Sequence, residues 1–277
     1  MNSRKRLVVN ADDFGFTADV NEGIVEAHRE GILTATTLMA NGEAFEHAVG
    51  LARQNPSLDV GCHMVLVGGR SLLSGKHLPP TVASLAGALA RRQIDVLAEL
   101  RAQLQRIFAA GIQPTHLDTH KHTHLAPPVL EAVARLGEEF GIRWVRRPFD
   151  LPLQAQRHPA SRPPRLTRLV GGAMGLLRPR FHQVLEKHRC WTTDHFAGFL
   201  MTGRLRTREL VELVSAIPAG STELMCHPGR CGPALRAART RLKESRQAEL
   251  EALTAAVVRE AVARAGIELV NYRQLQP

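Results

Sequence analysis

Short apolar runs alternate with longer amphipathic ones along nearly all of the 277-residue chain, and that alternation limits the fold more than any other feature. Residues 7–10, 32–39, 58–66, 142–145, 222–226 and 267–270 read as buried strands. Residues 115–118 read as a strand end, and 191–196 as a further strand. Helical spacing of apolar residues falls between them, at 21–30, 44–53, 94–110, 127–140, 208–216 and, as one long helix, 239–265. Gly31, Gly111 and Gly141 stand where helices should stop, Asn55-Pro56 breaks another, and 68–80 is a loop rich in Gly and Pro. Seven or eight βα units imply a parallel sheet. At this length a single α/β domain over residues 1–277, a closed or nearly closed (β/α) barrel, fits best, with an open doubly wound sheet as the alternative. The alternation lapses over about 151–189, which reads as an insertion. Neither an internal repeat nor a domain boundary is visible.

Hydrophobic residues make up 44% of the chain, enough for a sizeable core, so a disordered chain is excluded. No apolar run approaches the roughly 18–20 residues of a membrane span. After the basic start, Leu7-Val8-Val9 is too short for a secretory signal, so the cytoplasm is the expected location. Cys62, Cys190, Cys226 and Cys231 form no C-x-x-C pair and read as reduced thiols. The net charge of +10 is local: residues 157–189 hold eight basic residues against one acid, Glu186. Such a patch points to an anionic partner or surface nearby. It lacks aromatic interleaving and no nucleic-acid module is visible, so nucleic acid is not an expected partner.

In a βα barrel, polar residues at the C-terminal ends of strands build the site. The first strand runs into Asp12-Asp13. One aspartate could cap a helix or form a turn, but adjacent carboxylates after a buried strand are costly unless paired or bound to a cation. The third strand carries His63 in an apolar run, which by itself reads as readily as a core histidine. The fourth ends in His116-Leu117-Asp118-Thr119-His120-Lys121-His122-Thr123-His124. Five polar side chains on one face of a buried strand are improbable, so the strand should end near 118–120 and the rest turn over the site. Metal binding explains such a cluster better than a fortuitous His-rich loop.

Asp13, His63 and His120 would then form a three-ligand set with open positions for water and substrate. Two imidazoles favour zinc or another transition ion over magnesium. His227, ending the apolar run 222–226 opposite the first strand in barrel order, is a candidate general acid or else a capping or core histidine. No G-x-S-x-G, G-x-G-x-x-G or Walker loop occurs, and nothing activates Cys226 as a thiolate.

Val9-Asn10-Ala11-Asp12-Asp13-Phe14-Gly15, Asn21-x-Gly23-Ile24, Gly61-x-His63, the His116–His124 run and Met225-x-His227-Pro228 together resemble the YdjC-like carbohydrate deacetylase family, in its order and over about residues 6–272. The resemblance implies a distorted (β/α) barrel similar to the polysaccharide deacetylases and one divalent metal ion, often described as magnesium. It also implies removal of the acetyl group from an N-acetylated amino sugar. It makes Asp13, His63 and His120 the metal ligands, Asp12 the catalytic base and His227 the acid that protonates the leaving amine. Arg146, in Arg146-Arg147-Pro148, matches the family's Arg-x-Pro and would orient Asp12. The length, Gly198-Phe199-x-x-Thr202-Gly203 and the basic insertion are closer to the branch associated with hopanoid biosynthesis, which would imply a lipid-linked amino sugar. Another reaction on the same metal site, such as phosphoester or other amide hydrolysis, is the competing enzymatic reading. A non-catalytic anion-binding protein is the non-enzymatic one. Residues 165–178 carry leucines edged by arginines and read either as a lid helix or as a peripheral membrane contact, which would place the protein at the inner membrane face. Homodimerisation is left open.

Overall fold

The computed structural model describes residues 4–151 and 164–276; the remainder of the expected insertion, 152–163, lies outside the described residues. The strands are β1 (Lys5–Phe14), β2 (Ala35–Leu38), β3 (Asp59–Met64), β4 (His116–Thr119), β5 (Trp144–Val145), β6 (His195–Ala197), β7 (Gly220–Cys226) and β8 (Ile267–Leu269). All pair in parallel, in the order β5-β4-β3-β2-β1-β7-β6. β8 joins the lower half of β1, at Lys5–Leu7, below the point where β2 pairs from Asn10 onward. The edges of the curled sheet come together through two isolated parallel bridges, Trp144 to Trp191 and Asp150 to Phe196. The architecture is therefore a single-domain α/β fold with an incompletely closed parallel barrel. One expectation needs correction: β7, which leads to His227, lies directly beside β1 and not across the barrel from it.

The helices cover the outside: α1 (Ala18–Glu30), α2 (Phe45–Gln54), α3 (Val82–Ala90), α4 (Val96–Ala109), α5 (Pro127–Phe140), α6 (Arg165–Gly175), α7 (Arg178–Lys187), α8 (Thr207–Ser215), α9 (Pro233–Ala237), α10 (Glu244–Thr254) and α11 (Ala256–Arg264). The central strand β1 buries Leu7, Val8, Val9 and Ala11 completely, as a parallel strand covered on both faces must. α5 begins on Pro127-Pro128, whose fixed φ suits a first turn, and ends at left-handed Gly141, φ 73°.

One element was not read from the sequence and one expectation was wrong in detail. Helix α3 follows the Gly/Pro loop, started by a capping box in which Thr81 and Ser84 satisfy each other's backbone N–H. The helix expected over 239–265 is two helices: Ala255 is extended at φ −62°, ψ 131°. Thr254 turns its hydroxyl back onto the Leu250 carbonyl at 3.0 Å. No glycine or proline marks that break.

Candidate metal centre

Both aspartates reach one site because β1 is irregular. Between Ala11, opposite Thr36, and Phe14, opposite Leu38, β1 advances three residues while β2 advances two. The extra residue makes a bulge, and Asp13 takes a left-handed φ of 69°. Regular alternation would send adjacent side chains to opposite faces; the bulge brings Asp12 and Asp13 to the same end of the barrel. The strained turn is held from α1, where Asn21 Oδ1 accepts the Gly15 N–H at 2.6 Å and Nδ2 donates to the Ala44 carbonyl at 3.0 Å. A Cβ on Gly23 would lie 2.5 Å from Gly229 Cα, so this glycine lets α1 meet the loop after His227.

Asp13, His63 and His120 converge. Asp13 Oδ1 is 3.4 Å from His63 Nε2 and 3.1 Å from His120 Nδ1, and the two ring nitrogens are 3.2 Å apart. Donors around a tetrahedral zinc with bonds of about 2.0–2.1 Å stand roughly 3.3 Å from one another. Asp13 Oδ1 is buried with no hydrogen-bond partner. Its other oxygen accepts from Arg246 Nη2, which leaves Oδ1 as a single-point ligand. Asp12, His63 and Asp118 also lie close enough to share an ion. Arg146 already engages both of those aspartates, so the Asp13 set suits a divalent cation better.

His63 is turned toward this point by Asp118, whose Oδ1 contacts Nδ1 at 2.6 Å while Oδ2 accepts from Thr37 Oγ1 at 3.1 Å. A carboxylate behind a histidine is the usual orienting partner of a metal-bound imidazole. Burial by itself would push His63 down, but the charges of Asp118 and Asp12, with the hydrogen bond that Asp118 accepts from the ring, outweigh it and raise the imidazole to about 10. The pocket therefore favours positive charge at this position, which a cation could supply in place of the proton. Asp118→Asn is expected to weaken metal binding by about 10–100-fold by calorimetric titration; unchanged affinity would show that Asp118 does not hold the ring.

Arg146 is buried and gathers three carboxylates. It donates to both oxygens of Asp12 at 2.7 and 2.6 Å, contacts Asp118 Oδ2 at 2.6 Å and donates to Glu223 Oε1 at 2.7 Å. Burial would raise the Asp12 carboxyl, but Arg146 and then His63 outweigh it and hold Asp12 well below the usual range, so it stays ionised. His227 Nε2 is 3.9 Å from Asp12 Oδ2. Burial pushes His227 down to about 4 against the pull of Asp12 and Asp13, so its resting imidazole is neutral near pH 7.

The other histidines of the fourth segment have different places. β4 stops at Thr119, and the chain turns into a 3-10 turn, His120–Leu125, with Lys121 and His122 left-handed. His116 is a core residue bonded to Asn10 Oδ1 at 2.9 Å and stacked on Tyr272. His124 bridges Thr119 Oγ1 at 2.7 Å and the Arg146 carbonyl at 3.1 Å, beneath the site. His122 packs edge-on against Phe196 and Phe199.

Among the buried residues that the sequence did not single out, Glu223 lies on Arg146 and two others lie on α10. Arg246 holds Asp13. Glu249 accepts the backbone N–H of His227 at 2.6 Å and of Gly203 at 3.2 Å. Burial pushes Glu249 up to about 7 despite those N–H donors. A carboxyl whose folded pKa lies above its unfolded value of about 4.3 stabilises the fold fully below that value and loses the contribution as pH rises through 7. Glu249→Gln is expected to remove a stability loss on the order of 3 kcal/mol between pH 4.5 and 7. An unchanged slope in denaturant unfolding would contradict a buried, protonatable Glu249.

A barrel of this kind, with two histidines and a carboxylate from three strand ends converging beside an arginine-held second carboxylate, defines a class: an α/β-barrel protein whose strand ends gather donors that could hold a metal ion. The comparisons narrow it. The YdjC-like protein family matches residues 6–264, and the chain belongs to that family. A carbohydrate deacetylase of Brevibacillus brevis is 34% identical over 279 residues, covering 98% of this chain and 99% of the relative. One of Geobacillus stearothermophilus is 35% identical over 275 residues, 96% of each. A crystal structure from Enterococcus faecalis V583, provisionally named for cellobiose-phosphate cleavage, superposes with a TM-score of 0.76. It is 24% identical and covers 98% of both chains, and it shares the fold.

Proposed function

We propose that this protein is a metal-dependent carbohydrate N-deacetylase, releasing acetate from an N-acetylated amino sugar. The observation that carries the reading is the pairing of an orphaned Asp13 Oδ1, faced by His63 and His120, with an Asp12 carboxylate that Arg146 clamps beside it. The deacetylase names of the full-length relatives supply the reaction class. Asp13, His63 and His120 would hold one divalent ion, zinc on ligand softness or magnesium. When bound, the ion supplies Lewis acidity to a water and to the amide carbonyl.

The chain's own groups supply the rest. Asp12, ionised and fixed in orientation by Arg146, takes the proton of the attacking water. The neutral His227 ring, 3.9 Å from Asp12, receives that proton and passes it to the departing nitrogen. Arg146 keeps Asp12 in register through both transfers, and Asp118 keeps His63 Nε2 turned to the ion.

The test is product analysis over a panel of soluble and lipid-linked N-acetylated amino sugars, with phosphorylated and non-acetyl amide compounds included. Acetate release from a sugar supports the reading, and the preferred member decides between an oligosaccharide and the lipid-linked substrate of the hopanoid-associated branch. Phosphate release, or hydrolysis of other amides alone, would assign the site to another hydrolase class.

A further inference from the structure

Helix α6 is inside out. Surface helices of a soluble protein bury their apolar stripe. In α6 and the two residues after it, Leu166, Leu169, Val170, Leu176 and Leu177 are all exposed, Leu166 at 72%, Leu169 at 71% and Leu176 at 82%. They are five of the nine large apolar side chains exposed among the described residues. At 3.6 residues per turn they fall within an arc of about 120°; Leu176 and Leu177 keep near-helical backbone at φ −66° and −83°. The face toward the protein is carried by Met174, which is buried, and Gly171, where a Cβ would meet the Leu200 side chain at 3.2 Å. Contiguous exposed apolar surface of this kind marks a docking site.

Charge says what docks there. From residue 151 to residue 185 the chain contains no aspartate or glutamate. Arg165, Arg168, Arg178 and Arg180 flank or follow the apolar stripe, and all four are exposed. An apolar face edged by arginine and free of acids is the pattern of a helix lying in a bilayer interface, its leucines among the acyl chains and its cations against anionic headgroups. A protein partner of equal apolarity would not require the exclusion of every acid across 35 successive positions.

We propose that α6 docks the protein peripherally on an anionic lipid surface. Gly171 sits against Leu200 and Phe199 of the loop after β6, and the Phe199 ring packs on His122, two residues from His120. Docking through α6 therefore sets the bilayer against the strand-end side of the barrel, where the metal donors lie. No helix of the described residues is long and apolar enough to cross a membrane, so the contact is interfacial.

The test is flotation of the full chain with phosphatidylcholine vesicles and with vesicles containing about a third phosphatidylglycerol. Binding is expected to the anionic vesicles only and to fall in high salt. Leu166→Ser/Leu169→Ser/Leu176→Ser is expected to lower the partition coefficient at least tenfold. Replacing the four arginines by glutamine is expected to lower it about a hundredfold or more, at roughly fivefold per basic side chain near an anionic surface. Those side chains are exposed, so both variants should keep the wild-type circular dichroism spectrum. Absence of flotation with anionic vesicles, or equal flotation of the triple serine variant, overturns the proposal. A wild-type dimer that the serine variant converts to monomer, with no flotation in either, would assign the face to a second copy of the chain and also overturns it.

Discussion

Arg146→Met is expected to cost the fold about 3–5 kcal/mol, the usual penalty for removing one partner of a buried ion pair. Here the loss is compounded, because Asp12, Asp118 and Glu223 all lie on the same guanidinium. Without it, three buried carboxyls must ionise next to one another or take up protons. The shorter Arg146→Lys keeps one charge but cannot reproduce the two-oxygen grip on Asp12 together with the third contact to Glu223. It is expected to fold and to lose activity by about 10²-fold or more, as a mispositioned reacting group does. Denaturant unfolding of both variants checks this. A methionine variant as stable as wild type would mean that the three carboxyls are protonated in the native protein.

Asp12→Asn should have the largest effect on turnover. The amide is close to the same size, still accepts one of the two Arg146 hydrogen bonds and leaves Asp13, His63 and His120 in place, so metal content should be unchanged. It cannot take a proton, and acetate release is expected to fall by about 10²–10⁴-fold. The ratio of activity to bound metal is the informative quantity. Lost activity with lost metal would make Asp12 a ligand, and near-wild-type activity at full occupancy would remove it from the base role.

How much of this was readable in the sequence depended on which element carried the residue. Strand ends are legible because a polar residue there interrupts an apolar run. Asp12, Asp13, His63 and His227 do so, His120 stands out instead within a histidine cluster, and the structure brings all five to one end of the barrel. The bulge that lets Asp12 and Asp13 share a site was not legible, since no glycine or proline announces it and only the pairing with β2 reveals it. Nor were Arg246 and Glu249. On α10 they sit among other charged residues and look like a solvated helix face, yet both are buried because α10 packs on α1 behind the site. Asp118 was visible as part of a cluster, but its job of orienting His63 depends on Thr37, which comes from another strand. His116 and His124 show another case: the cluster stood out in the sequence but their own roles did not, and their contacts make them supports for Asn10 and Arg146. The reversed amphipathicity of α6 needed the structure, because a leucine stripe reads the same whether it faces the core or solvent.

One ion held by Asp13, His63 and His120 is proposed to make this barrel a sugar deacetylase. That role is tested most directly by stripping the protein of metal, titrating zinc or magnesium back, and following acetate release from N-acetylated amino sugars alongside calorimetric binding, in the wild type and in His120→Ala. Expected are no acetate from the stripped protein, recovery that saturates at one ion per chain, and neither tight binding nor recovery in His120→Ala. Undiminished acetate release from the stripped protein, or full metal-dependent recovery in His120→Ala, would contradict it.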